Sequence, residues 1–296
     1  WSWSRGLGDV YKRQVVDITE RVKAKEKIDQ LASKLSRYLS PQVYQSIFSG
    51  KKNVKIEAYR KKLTVFFSDI KGFTEITDRL EPEVLSTLLN SYLNEMSKIA
   101  LKYGGTIDKF VGDAILIFFG DPETKGDKED AYSCVLMALE MQERMHHLKN
   151  LWEGQGITNP LEIRIGINTG YCNVGNFGSE NRLDYTIIGG EVNLASRLES
   201  NAMTGQILIS QETYALIKKH IVCEKKDEIK VKGIAHKIQT YQVVGSYKNI
   251  AQKRKILNEK FDGFNLNIDL NISKKNKVIT SLENTLKQLK KDEKSN

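Results

Sequence analysis

Three cysteines, Cys134, Cys172 and Cys223, are too few and too scattered for a disulfide framework. None belongs to a CxxC pair or stands beside a histidine cluster, which excludes a structural zinc site. Thiols used this sparingly suit a reducing cytoplasm. Long hydrophobic runs are also missing. The longest, such as Leu63 to Phe67 and Ala114 to Phe119, fall far short of the ~18 to 20 residues that cross a bilayer. No membrane segment is therefore expected in this chain. A basic patch interleaved with aromatic residues is absent too. The net charge is +9, but from Lys248 onward 12 Lys or Arg stand against 6 Asp or Glu, so two thirds of the excess sits in the tail. That distribution describes a solvated surface and excludes nucleic acid as the expected partner.

What is present suits one sizeable domain with extensions, or two small domains, in 296 residues. Residues 1–14 have neither the charged-then-apolar order of a signal peptide nor a helical or strand period. They resemble a translated sequencing adaptor, a non-native leader, and the natural chain is expected to continue upstream. Val15-Val16-Asp17-Ile18-Thr19-Glu20-Arg21 resembles the exit of a PAS sensor domain, which places the end of a PAS-like domain at 15–20. From Arg21 to Ser40, Ala24, Ile28, Leu31, Leu35 and Tyr38 recur in steps of 4, 3, 4 and 3, the seam of a coiled coil. A helix packing on its own domain is the alternative, and the pattern alone leaves both open. Ser40-Pro41 is an N-cap followed by proline at the first helical position, and Gly50 is a stop, so Pro41 to Phe48 reads as a short coupling helix. The signalling and coupling helices together occupy 21–50.

Residues 62–245 read as the catalytic domain and 246–296 as a basic C-terminal extension. Strands are expected at Leu63 to Asp69, Thr106 to Phe110, Ala114 to Phe119, Leu161 to Thr169, Arg182 to Ile188, Ile207 to Ser210, near Ile229 to Lys232, and at Gln239 to Val244. Helical spacing marks Glu83 to Tyr103, Asp130 to Leu148, Val192 to Glu199 and Gln211 to Lys219. This order predicts an α+β sandwich of the ferredoxin-like β-α-β-β-α-β kind. In the tail, Phe261 to Leu270 alternates as a strand and Val278 to Leu289 reads as a helix.

Two aspartates draw attention because each ends an apolar strand. Asp69 lies in Phe67-Ser68-Asp69-Ile70-Lys71-Gly72-Phe73-Thr74, and Asp113 in the turn Val111-Gly112-Asp113. A carboxylate beside buried strands is costly unless something pairs with it, and a divalent cation is the usual partner where two converge. Either alone would more often be a turn-capping residue. After Asp69 the turn at Gly72 exposes successive N–H groups, a nest suited to phosphate, although the G-x-x-x-x-G-K-[ST] order is absent. Asn193 and Arg197 stand four apart, on one face of a helix.

F-S-D-I-K-G-F-T at Phe67 to Thr74, D-K-F-V-G-D-A-I at Asp108 to Ile115 and D-Y-T-I-I-G-G-E-V-N-L-A-S-R-L-E at Asp184 to Glu199, followed by Val231-Lys232-Gly233, resemble the class III adenylyl and guanylyl cyclases. The resemblance implies that Asp69 and Asp113, with the carbonyl of Ile70, hold two Mg²⁺ or Mn²⁺ ions per active site. It implies that the N–H groups of Gly72, Phe73 and Thr74 and the side chain of Lys232 bind the phosphates of ATP. Asn193 would orient the ribose, and Arg197 would neutralise charge growing on the α-phosphate. Lys109 and Thr186 would select adenine; guanylyl members carry Glu and Cys there, while many adenylyl members carry Asp in place of this threonine. A hydroxyl both donates and accepts, so discrimination against GTP could be soft. The resemblance further implies a head-to-tail homodimer with two shared active sites, because each site takes its metal half and base half from opposite subunits. The expected product is 3′,5′-cyclic AMP. The rivals are a guanylate or dual-specificity cyclase, an inactive nucleotide-binding regulatory module, and a diguanylate cyclase suggested by Gly189-Gly190-Glu191. The last is set aside because Val192-Asn193 follows rather than Glu-Phe.

Overall fold

A serine cap followed by proline opens the second helix of the computed structural model. The structure describes residues 22–34, 39–49, 55–154, 157, 161–230, 237–247, 256–261, 264–269 and 275–292. Helix α1 spans 22–34, with Ile28 and Leu31 of the expected seam 62% and 53% exposed. Leu35, Tyr38, the PAS-like segment and Gly50 lie outside the described residues. Helix α2 is Pro41–Phe48, with Ser40 accepting from the Val43 N–H at 3.4 Å and Ser49 as its C-cap. Gln42 ties this helix to the catalytic domain, its side-chain amide donating to the Gly105 carbonyl at 2.9 Å.

The chain divides into two units. In the larger one, β1 (Glu57–Ile70) is central, pairing antiparallel with β3 (Ala114–Phe119) on one edge and β4 (Ile163–Ser179) on the other. Helices α3 (Phe73–Thr77) and α4 (Pro82–Tyr103) connect β1 to β2 (Thr106–Val111), and α5 (Asp127–Gly154) connects β3 to β4. The order β2-β3-β1-β4, antiparallel throughout, is the ferredoxin-like arrangement. On the β4 side, β6 (Ile207–Ser210) joins in parallel and β8 (Thr240–Ser246) follows it, while β5 (Arg182–Ile188) pairs with the far half of β4. Helices α6 (Gly190–Asn201) and α7 (Gln211–Ile217) flank β6 in sequence.

Local chemistry explains these elements. Proline at the first position of α4 has no N–H to leave unpaired, and Gly104, at φ 84°, ends the helix in the left-handed conformation glycine favours. Strand β3 is buried along its whole length, as a continuous apolar run bounded by turns requires. Along β1 the faces divide by parity. Leu63 and Val65 join Leu116, Phe118, Val174 and Ala195 in one cluster, while Thr64 and Ser68 meet Thr169 and, on α4, Tyr92. Helix α6 lies directly on β4 because Gly166 has no side chain. A Cβ there would stand 2.2 Å from the Ala195 carbonyl oxygen and the Glu199 nitrogen.

Element types agree with the sequence expectations, and the differences are mostly of extent. Strand β4 runs on to Ser179 because its far half pairs with β5, a tertiary gain invisible to local pattern. Strand β7 (Ile221–Lys225) has no counterpart among the expected elements. Of the strand expected near Ile229 to Lys232, the described residues show the bridge Ile229 to Ile238, while Val231 and Lys232 lie outside them. In the smaller unit the expected tail strand is a hairpin, β9 (Ile256–Phe261) and β10 (Phe264–Asp269), because Phe261 closes one arm rather than opening it. Helix α8 is Lys275–Asp292.

Candidate active site

Strand β1 delivers Asp69 at its end, where the Lys71 N–H donates to the Glu162 carbonyl at 2.8 Å and the chain then turns at Gly72, φ 70°. The β2–β3 hairpin turns at Gly112, φ 64°, and brings Asp113 alongside. The Ile70 N–H donates to Asp113 Oδ2 at 2.9 Å, locking the hairpin tip to the end of β1. The Asp113 carboxyl is pushed up to about 6 by burial and by hydrogen bonding and repulsion from Asp69, against the Ile70 N–H. Two carboxylates forced together in this way hold a proton or a cation between them.

A cation from the chain itself already stands nearby. Arg164, the register partner of Asp69 on β4, reaches Asp69 Oδ2 at 3.1 Å and Glu199 Oε1 on α6 at 2.7 Å. Burial pushes the Glu199 carboxyl up; Arg164 opposes the rise, while Asp69 and Asp113 add to it. Neither Arg164 nor Glu199 is among the site residues expected from sequence. The available signal is an arginine between Ile163 and Ile165 in an apolar strand, a charge that needs a carboxylate opposite.

Helix α3 begins at Phe73, so Phe73 and Thr74 are in its first turn, where backbone N–H groups have no intrahelical acceptor. Asn193 and Arg197 are both exposed on α6, while Leu194 and Leu198, the residues that follow each of them, are buried. Their side chains thus leave the chain's own core, as groups serving a second surface must. Lys232 lies outside the described residues.

Lys109 and Thr186 meet around a third residue. Thr186 donates its hydroxyl to Asp108 Oδ2 at 2.6 Å, the Ile187 N–H donates to the same oxygen at 3.2 Å, and Lys109 Nζ is 3.4 Å from Oδ1. Burial raises the proton affinity of Asp108, opposed by Thr186, Lys109 and the Ile187 N–H. Among the described residues, no hydrogen bond or ion pair joins this group to Asp69 or Asp113.

The donor set fits hard divalent cations. Asp69 and Asp113 supply carboxylate oxygens, and the strand end at Ile70 supplies a backbone carbonyl. Among the described residues no cluster of three or more His, Cys, Asp or Glu side chains is placed to hold an ion. The remaining oxygens of such a site therefore have to come from the backbone, water and substrate.

A ferredoxin-like sheet with paired aspartates where β1 ends beside the β2–β3 turn defines a nucleotide cyclase catalytic domain. The chain belongs to the family described as the adenylate and guanylate cyclase catalytic domain, whose model matches residues 54–245. It is 64% identical to the adenylyl cyclase CyaB of P. aeruginosa, whose crystal structure superposes with a TM-score of 0.64 over 65% of this chain and 98% of that one. The guanylyl cyclase Cya2 is 37% identical, with a TM-score of 0.62 over 64% of this chain and 95% of that one. A terminal-differentiation-specific adenylate cyclase of Dictyostelium discoideum is 34% identical over 228 residues, 75% of this chain; the chain spans 10% of that relative's length. No helix among the described residues is long and apolar enough to cross a membrane.

Proposed function

We propose that this chain closes ATP into 3′,5′-cyclic AMP and releases pyrophosphate. The observation that carries this reading is the convergence of Asp69 and Asp113, where partial burial, then hydrogen bonding and repulsion from Asp69, push the Asp113 carboxyl up to about 6. Such a pair is built to receive positive charge. Two divalent ions, Mg²⁺ or Mn²⁺, would supply a lowered pKa at the ribose 3′-hydroxyl and a clamp on the triphosphate. Asp69, Asp113 and the Ile70 carbonyl would hold them.

The 3′-oxygen attacks the α-phosphorus in line, forming the P–O3′ bond. The bond from that phosphorus to the bridging oxygen breaks, pyrophosphate leaves, and the 3′-hydroxyl proton passes to solvent. No protein nucleophile takes part. The N–H groups of Gly72, Phe73 and Thr74 bind phosphate oxygens, and Lys232 adds a point charge. Arg197 neutralises charge on the α-phosphate, a contact whose loss typically costs ~10²- to 10³-fold in rate. Asn193 orients the ribose. Lys109 donates to adenine N1, and Thr186 accepts from the 6-amino group.

Asn193 and Arg197 point away from their own core, which supports a head-to-tail homodimer in which each site draws on both protomers. The exposed Ile28 and Leu31 support a coiled coil that keeps the protomers in register. The likeness of Val15 to Arg21 to a PAS exit favours a PAS-like sensor upstream, and the sparse thiols suit a cytoplasmic setting. The likeness to Cya2 favours a second reading, a guanylate or dual-specificity cyclase. One experiment separates them: purified chain with Mn²⁺ or Mg²⁺ and either ATP or GTP, the product identified by mass. Cyclic AMP from ATP well ahead of cyclic GTP from GTP is expected; no cyclic product from either nucleotide overturns the cyclase reading.

A further inference from the structure

Thr186 alone does not explain a preference for a 6-amino purine. A free threonine hydroxyl rotates, donating to the 6-oxo group of guanine as readily as it accepts from the 6-amino group of adenine. Its direction therefore has to be set by something else.

Asp108 has the geometry to do so. The β2–β3 ladder pairs Ile107 with Ile117 and Lys109 with Leu116, and its register shifts between Ile107 and Lys109, so Asp108 is the extra residue of a β-bulge. Bulges re-aim side chains, and this one turns Asp108 inward, leaving its side chain 1% exposed next to the 42% exposed Lys109. One oxygen, Oδ2, then receives both the Thr186 hydroxyl and the Ile187 N–H. The backbone N–H can only donate, so that oxygen must stay an acceptor. The Thr186 proton is consequently committed to Asp108. With Thr186 itself only 7% exposed, little water is available to reorient it. What remains on Oγ1 for a nucleotide is lone pairs.

We propose that Asp108 is a specificity-determining positioning residue: by taking the Thr186 proton it makes that hydroxyl an obligate acceptor, so that position 6 of the purine must carry a donor. This rests on the assignment of Thr186 to the base in the proposed cyclase reaction. It makes ATP selectivity a property of the pair Asp108 and Thr186 rather than of threonine by itself. The buried Oδ1, with Lys109 Nζ 3.4 Å away, adds a second effect by steadying the cation assigned to N1.

The test compares kcat/KM for ATP, GTP and inosine triphosphate, which has the 6-oxo group without the 2-amino group. Asp108→Val and the smaller, polar Asp108→Ser both free the hydroxyl. Each is expected to lower the ATP-to-inosine-triphosphate ratio about tenfold, with the same direction for GTP, as expected when one hydrogen-bond constraint is relaxed. Asp108→Asn should keep the wild-type ratio, because the Ile187 N–H still requires an oxygen at that point and the amide will present one. A merely structural Asp108 would lower turnover of all three nucleotides in proportion; unchanged ratios in whichever of the Val and Ser variants folds overturn the proposal. Thr186→Val distinguishes the levels. If it shifts the ratios while the Asp108 variants do not, only the role of Asp108 fails. If Thr186→Val leaves them unaltered, the base assignment fails and the proposal falls with it.

Discussion

Arg164 on β4 lies opposite Asp69 on β1 and holds one oxygen of that carboxylate at 3.1 Å while its Nε stands 2.7 Å from Glu199 on α6. One guanidinium thus ties the proposed metal carboxylate to the helix that carries Asn193 and Arg197. Removing it leaves Glu199 buried without its counter-charge. Arg164→Ala is expected to lower stability by about 3 kcal/mol, in the range for breaking one partner of a buried pair. Chemical denaturation measures it, and adding Glu199→Gln should restore more than half the loss. Full stability in the single variant would mean that the pair is structurally idle.

Asp113 makes the metal-free protein pH-dependent in a definite direction. Its folded pKa of about 6 lies above the ordinary value of 3.8, so the native state binds the proton more tightly than the unfolded chain. This pair's contribution to stability is therefore more favourable at pH 5 than at pH 7 and declines as pH rises through 6. Asp113 is partly exposed, so solvent screening limits the effect to about 1 kcal/mol. Asp113→Asn should stabilise the metal-free chain at pH 7 and flatten that part of the pH profile, as read by thermal melts in chelator.

The same proton competes with cations. Binding of Mn²⁺ should strengthen between pH 5.5 and pH 7.5 with release of a proton, because a ligating carboxylate must be ionised. Calorimetry in buffers of different ionisation heat counts that proton. Asp69→Ala should weaken the binding and abolish turnover; an active Asp69→Ala would contradict the metal assignment.

Gly166 permits the contact between β4 and α6. A methyl group there would fall 2.2 Å from two backbone atoms, so Gly166→Ala must lift α6. The expected cost is about 2 kcal/mol or more, the scale of overpacking in a tight core. Because α6 carries Asn193 and Arg197, kcat should fall further than KM rises, which steady-state kinetics resolves.

Mixing two inactive variants tests the shared site. Asp69→Ala spoils the metal half and Arg197→Ala the other, so a mixed dimer keeps one intact site. Co-refolding equal amounts should recover about a quarter of wild-type activity, since random pairing makes half the dimers mixed, each with one site of two. No recovery would place both halves of a site in one protomer.

The sequence by itself determined the order of elements from β1 to β6, because buried strands and amphipathic helices leave local traces. Leu63 to Phe67, Ala114 to Phe119 and the spacing of α4 are legible without a partner in view. The residues bearing the cyclase motifs were legible for the same reason: Asp69, Asp113, Asn193 and Arg197 stand in contiguous words. Only the tertiary structure could decide what faces them. Arg164 and Glu199 lie 95 and 130 positions beyond Asp69, and Asp108 reaches Thr186 78 positions away through a bulge that no periodicity announces. Strand pairing sets those meetings, and pairing partners are chosen by the whole sheet. Local pattern singled out the side chains proposed to carry the chemistry, whereas the ladder between β1 and β4 and the bulge in β2 decided which charges and protons they share.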